Sequence, residues 1–208
     1  NEEGGANTVT VISMGPERAT EAARKALSMG ANDAILISDP VLAGADAVVT
    51  AEVLANVILK GEFDIVICGT ESTDARMSVV PAMMSEKLGC AQLTFASKVS
   101  VDPAAKKVSI TRVTEAGVDE VHGEFPCVIS VVEKINEPRY PSFKGIMAAK
   151  KKVIDVRDFA STGAQFTKSW SAVVDSAPRP PRAGGVVVTD DGTAGQKLVD
   201  FLSEKKLI

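Results

Sequence analysis

The chain has 208 residues, 45% of them hydrophobic, enough for one well-buried core with or without an appended arm. Its 23 basic and 27 acidic side chains leave a net charge of −4 and are mixed along the sequence, so no basic stretch is large enough to neutralise a phosphate polymer and nucleic acid is not an expected partner. His122 is the only histidine and Cys68, Cys90 and Cys127 are widely spaced, which excludes most zinc sites, disulfide frameworks and Ser/His or Cys/His catalytic pairs; the cysteines read as buried thiols of a reducing compartment.

The chain opens NEEGGAN without an initiating methionine and reads as the remainder of a longer one. No apolar run approaches the ~18 residues that span a bilayer, and no signal peptide is recognisable, which points to a cytoplasmic protein without direct membrane insertion. Residues 8–13 (TVTVIS) predict a strand and Gly15-Pro16 a turn. Residues 17–29 follow as a helix, with Ala19, Ala22, Ala23, Ala26 and Leu27 at helical spacing and Gly30 as its stop. A second strand falls at 34–38 (AILIS), an alanine-rich helix at 41–59, and a third strand at 64–68 (DIVIC). The polar loop 69–74 (GTESTD) leads into a helix from about Arg76 to Leu88, which Gly89 ends. Continuous apolar strands alternating with helices predict an α/β fold with a mostly parallel, doubly wound sheet.

Over residues 92–132 the runs LTFASKVSV, KKVSITRV, DEVHGEF and VISVVEKI, broken at Asp102-Pro103, 115–117 and Pro126, predict an antiparallel extension of that sheet. NEPRYPS (136–142) is too rich in proline for a helix, and a short helical stretch runs from Phe143 into Lys150-Lys151-Lys152. The lysine run reads as a solvated helix end or as a receptor for an acidic partner. Residues 161–182 have no pattern and read as an extended arm with Phe166 and Trp170 as anchors into another surface. A last amphipathic helix, 192–206, presents Ala194, Leu198, Phe201 and Leu202 on one face.

Ligands of an open parallel sheet bind beyond the carboxyl ends of its strands, where helix N-termini offer unpaired N–H groups to anions. The better place is CGTESTDARMS (68–78): amides of 75–79 can hold a phosphate, Ser72, Thr73 and Ser78 can donate hydroxyls, and Arg76 can add charge. The same loop also reads as an ordinary capping loop with Ser72, Thr73 or Asp74 as the cap. The second place is SMGPERAT (13–20), where Met14 or Gly15 can abut an adenine or ribose, although Gly-Pro before a helix is also plain punctuation. Neither GxGxxG nor GxxxxGK[ST] follows a strand. Glu115/Asp119 and Glu120/Glu124 read as solvated strand faces, and His122 as a surface or edge residue.

Residues 131–153, VVEKINEPRYPSFKGIMAAKKKV, resemble the signature of electron transfer flavoprotein β subunits, the FixA-like family. MGPERATEAARKALSMGAN and CGTESTDARMS followed by QLTFAS agree, and the resemblance runs from Thr8 to Ile208. It implies a fold like that of the adenine nucleotide alpha hydrolases and a heterodimer in which an α subunit carries most of the FAD site. This chain would hold a buried AMP, have no catalytic residue of its own, and dock onto acyl-CoA or other flavin dehydrogenases to accept electrons. Residue by residue, the implied AMP contacts are Met14, Glu71, Ser72, Thr73, Asp74, Ala75, Arg76, Met77, Ser78, Val79 and Val80. The implied docking loop carries Pro138, Arg139, Tyr140, Pro141, Ser142, Phe143 and Ile146, with Phe143 as its apolar anchor. On the residues alone, Phe143 reads instead as the start of a helix packed back onto the sheet.

The expected organisation is therefore a nucleotide-binding α/β domain over 1–157, and an arm and helix over 158–208 packing on the partner subunit. Two departures from the family stand out. Its opening strand, loop and helix are missing before Asn1, which would leave ladder groups of neighbouring strands unpaired. The phosphate loop reads DARMSVVP, where relatives that bind a second FAD carry a longer loop resembling DGDTAQVGP, so AMP is expected. The alternatives are an adenine-nucleotide-dependent enzyme of related fold, which needs a pyrophosphate loop or metal-binding carboxylates near Asp74, and an AMP-sensing protein with an exchangeable site.

Overall fold

In the computed structural model, which describes residues 7–138, 140–165, 168–182, 184–185 and 187–208, the first half of the chain alternates strand and helix. Arg139, Phe166 and the start at Asn1 lie outside the described residues. β1 (Thr10–Met14) and, beyond α1 (Thr20–Ser28), β2 (Asp33–Ile37) pair in parallel with Thr10 opposite Asp33. The period of two sends alternate residues to opposite faces. Val11 and Ala34 pack with Ala23 and Leu27 of α1, while Ile12, Ile35 and Ile37 pack with Val49 and Val53 of α2 (Ala47–Leu59). β3 (Ile65–Gly69) and α3 (Val80–Leu88) follow.

All three helices start later than their apolar pattern suggests. Residues 17–19 form a 3-10 turn ahead of α1. Ahead of α2, Asp39 accepts the Val41 N–H and shapes a 3-10 turn, and Asp46 then caps the helix by accepting from Val48 and Val49. α3 begins at Val80, not Arg76, with Pro81 in its first turn, where a missing N–H is harmless.

A second sheet has the order β3-β7-β4-β5-β6, built from β4 (Ala91–Asp102), β5 (Lys107–Thr114), β6 (Gly117–Glu124) and β7 (Cys127–Val131). β4, β5 and β6 form the expected antiparallel extension. β7, however, lies parallel between β3 and β4, which corrects the antiparallel reading of that segment. The reason is visible in CVISV: its central residues are buried on both faces, Val128 against Met84 of α3 and Cys127 and Ile129 against Leu93 and Ile110. β4 bends where Phe95 adopts φ 61° and its register with both neighbours shifts, the mark of a bulge. The β5–β6 hairpin curls back until Gly123 lies over Leu93, so close that a Cβ there would stand 2.9 Å from Leu93 Cδ1.

The parallel strands thus fall into two hydrogen-bonded sheets, where one was expected. Among the described residues, β1 and β3 do not pair with each other, and their facing sides share a cavity of about 130 Å³ lined by Thr10, Ile12 and residues 65–68. α2 bridges this seam. Val49 and Val53 serve the β1 side, and Ala51 and Ile58 join Met84 and Val128 on the other.

The chain returns to the first sheet through α4 (Phe143–Lys151) and β8 (Asp155–Arg157), which pairs in parallel with β2 and escaped the sequence pattern because only three residues pair. The one-turn α5 (Phe159–Thr162) follows, its Phe159 N–H donating to Asp39. Two compact units result, Asn1–Ala172 and Val173–Ile208. The second contains α6 (Ala194–Glu204), whose start is organised by Asp191: its carboxylate accepts from the Thr193 N–H and hydroxyl and from Lys197, which holds its pKa down at about 2. No helix among the described residues is long and apolar enough to cross a membrane.

Candidate functional site

The loop between β3 and α3 is built almost entirely from exposed polar residues. Thr70 ties its start to the sheet by donating its hydroxyl to the Val131 carbonyl at 2.8 Å. The Arg76 N–H closes a turn on the Ser72 carbonyl, and Asp74 accepts from the Ala75 N–H at 2.7 Å. Bonds from the Ser72 hydroxyl and then from Ala75 hold the Asp74 carboxyl below its usual range. Ser78 Oγ lies 3.4 Å from Glu71 Oε2, a weak closure of the loop on itself. Glu71 through Met77 are all exposed, and Ser78, Val79 and Val80 are half-buried at the helix start.

Two features distinguish this loop from simple capping. Its cap residue is Val79, and no side chain accepts from the first turn of α3; Ser72, Thr73 and Asp74, read above as possible caps, stand well ahead of it. Arg76 and Ser78 both adopt left-handed conformations, φ 51° and 58°, which cost a non-glycine residue about 1–2 kcal/mol each. Alternating right- and left-handed residues turn successive N–H groups toward one side and form a concavity suited to an anion. Gly69 adds room: the nearest atom to a Cβ built there is the Glu71 carbonyl oxygen at 3.9 Å, so nothing in the fold itself requires a glycine.

Met14 ends β1, in the other sheet from the loop, and packs with Ile12 and Ile35 against the α2 cluster. Gly15 continues the ladder by donating to the Ile37 carbonyl at 3.0 Å. The remaining candidates form no site. Arg112–Asp119 and Thr111–Glu120 are exposed cross-strand pairs on the β5–β6 hairpin, and His122 pairs with the Ser109 hydroxyl at 2.8 Å on the same edge. Among the described residues, no group of three His, Cys, Asp or Glu is placed to hold a metal ion. The three cysteines are free; burial pushes the Cys68 and Cys127 thiols up to about 11, so both stay neutral at physiological pH.

The segment after β7 has the opposite character. Ser142 caps α4, its Oγ accepting from the Gly145 N–H at 3.0 Å while its carbonyl accepts from Ile146. Phe143 begins the helix as expected yet does not pack back onto the sheet: it is 80% exposed, Tyr140 is 97% exposed, and Ile146 and Met147 are exposed beside them. Pro138 and Ser142 are exposed and Pro141 half-buried. In the lysine run, Lys150 and Lys151 are solvated as expected, but Lys152 turns inward and donates to the Ala31 and Asn32 carbonyls at 2.7 and 2.8 Å. Trp170 is held by its backbone, whose N–H donates to Asp46 at 2.7 Å, with its ring 92% exposed.

The electron transfer flavoprotein domain family matches residues 1–162. The chain is 45% identical over 208 residues to the electron transfer flavoprotein subunit beta of Mycobacterium tuberculosis H37Rv, covering 97% of this chain and 77% of the relative. It is 34% identical to the subunit of the same name from Megasphaera elsdenii, over 95% of this chain and 77% of that one. Identity to the caffeyl-CoA reductase-Etf complex subunit CarD of Acetobacterium woodii is 31%, over 96% and 79%. The mostly parallel α/β fold with its antiparallel extension and this similarity agree: the chain belongs to the electron transfer flavoprotein family, as a β subunit.

Proposed function

We propose that the loop 71–80 holds the phosphate of an AMP, that Met14 contributes to the adenosine side, and that the 138–146 segment, with Tyr140 and Phe143 exposed, docks the heterodimer onto a flavin dehydrogenase. The observation that carries the nucleotide reading is the uncapped start of α3 beside two left-handed, non-glycine residues. A phosphate dianion accepting from the amides there offsets both the unused donors and the backbone strain. Ser72, Thr73 and Ser78 supply further donors, Arg76 supplies charge, and Gly69 leaves space for close approach. The Asp74 carboxylate is engaged by Ser72 and Ala75, so it does not stand free against the phosphate. The site has one helix start and one compact nest, which suits a monophosphate.

On this reading the fold is that of the adenine nucleotide alpha hydrolases used without hydrolysis, the chain is cytoplasmic, and the seam between β1 and β3 has the edges and apolar lining for one more extended strand. FAD, held mainly by the α subunit, supplies the electron chemistry, while this chain supports it and presents the docking surface. The test is to denature the purified heterodimer and weigh what it releases. One AMP and one FAD per heterodimer is the expected result; two FAD and no AMP would overturn the assignment of the loop, and a nucleotide that exchanges freely in the native protein would favour an AMP sensor.

A further inference from the structure

α4 presents itself the wrong way round for a surface helix. Its inward face is small, with Ala149 packed among Ala23, Leu27 and Ala31 and Gly145 against the Ser28 backbone, while the large apolar side chains Phe143, Ile146 and Met147 remain 80%, 38% and 43% exposed. Apolar burial alone would roll such a helix to hide the large residues, because burying a glycine and an alanine removes far less surface from water than burying a phenylalanine and a methionine. Something other than the hydrophobic effect therefore fixes its rotation.

The structure supplies it in a reciprocal exchange of cations and carbonyls. Arg24, on α1, donates one guanidinium nitrogen to the carbonyls of Ala149 and Lys152 at 2.6 and 2.5 Å, serving the C-terminal end of α4. Lys152, the C-cap of α4, donates its ammonium to Ala31 and Asn32 just beyond α1. Arg24 thus places a cation at the C-terminal end of α4, where the helix dipole also favours positive charge, and Lys152 answers by gripping the loop that joins α1 to β2. Gly145 permits the approach: a Cβ there would lie 2.5 Å from the Ser28 carbonyl oxygen.

We infer that Arg24 and Lys152 are positioning residues that hold α4 rolled outward, so that the docking side chains stand exposed before any partner arrives. This rests on the docking role proposed for the 138–146 segment. Both cations are spent on carbonyls of this chain. Each acts on the fraction of molecules whose docking face is competent, and the apparent affinity falls in proportion to that fraction.

The experiment uses the heterodimer with its α subunit and an acyl-CoA dehydrogenase of the same organism reduced with octanoyl-CoA, and it measures KM for the heterodimer and kcat separately. Arg24→Met and Lys152→Met each remove a charge while keeping an apolar stem; each is expected to raise KM about fivefold or more with kcat, AMP content and FAD content unchanged, a change of the size expected for losing a cation at a helix C-terminus. Arg24→Lys and Lys152→Arg, which keep a donor in place, should stay near the parent. Hydroxyl-radical footprinting of Phe143 and Met147 should show both protected in the Met variants, an effect that simple loosening of the fold would not give. If Arg24→Met does not fold, Lys152→Met decides alone. Unchanged KM in the Met variants alongside a raised KM in Phe143→Ala would overturn this inference and leave the docking reading intact; unchanged KM in Phe143→Ala would overturn the docking reading and this inference with it.

Discussion

The loop after β3 and the segment after β7 both leave the sheet at a strand end and both precede a helix, yet they are built on opposite terms. In the first, polar side chains bond mainly to one another, α3 starts without a cap, and Arg76 and Ser78 are bent into left-handed conformations. In the second, Ser142 caps α4 cleanly, the helix is tied down at its far end, and large apolar side chains are left in water. One has donors without acceptors; the other has apolar surface without cover. The contrast separates two kinds of recognition, since a small anion is met by free backbone N–H groups and a protein surface by rigid apolar anchors.

The sharpest way to break this contrast is to cap α3 from within. Val79→Asp places a carboxylate at the helix start, where it accepts the Ala82 N–H, Pro81 having none, and repels a phosphate. Nucleotide occupancy should fall by about a hundredfold or more, while thermal stability of the nucleotide-free protein rises through a cap contribution of ~1 kcal/mol. AMP per heterodimer and a melting curve check both, and undiminished AMP would show that the loop is not the phosphate site.

Phe143→Ala tests the other side. With its ring 80% exposed, truncation should change folding stability by less than ~0.5 kcal/mol, yet weaken docking by about 2 kcal/mol, some thirtyfold in the affinity for the partner dehydrogenase. A large loss of melting temperature with undisturbed docking would return Phe143 to the core.

A smaller effect should follow Ser78→Gly. Glycine accepts φ 58° without strain, so the protein freed of nucleotide should gain about 1 kcal/mol in denaturant unfolding, partly offset by the greater freedom of glycine in the unfolded chain. No gain would mean that the left-handed turn is not strained and that the loop needs no ligand to hold it.

The smallest signal is acid sensitivity of the loop alone. Asp74 has a folded-state pKa below its ordinary 3.8, so the contribution of its bonds to Ser72 and Ala75 is present above that value and is lost as pH falls below it. Amide exchange at Ala75 and Arg76 should accelerate there before the sheets respond.

Much of this was legible in the residues and some was not, for definite reasons. Continuous apolar runs marked β1 to β3, and alternation marked the β4–β6 extension, because those patterns reflect which faces are covered. CVISV carried the same continuous signal as the parallel strands, but its place after three alternating runs disguised it; β7 returns to the middle of the sheet by a long-range pairing that local pattern does not encode. Helix starts were misplaced wherever a 3-10 turn or an Asp side chain set the boundary, as at Asp46. At the site, the residue types were apparent, but the feature that distinguishes the loop from a cap, left-handed backbone at Arg76 and Ser78, involves residues that normally avoid it. Lys152 was read with its neighbours as solvated, since nothing in a lysine run says which member turns inward.

The outer edge of β6 bears on how the protein behaves at high concentration. A strand at the rim of a sheet offers a row of backbone donors and acceptors to any other extended chain, and the exposed Val113–Val118 pair at the hairpin tip adds an apolar foothold. Along that strand, however, Asp119, Glu120 and Glu124 recur, so a second copy adding itself edge to edge would bring like charges together. Crowded copies of the chain are thereby kept from stacking through their sheets.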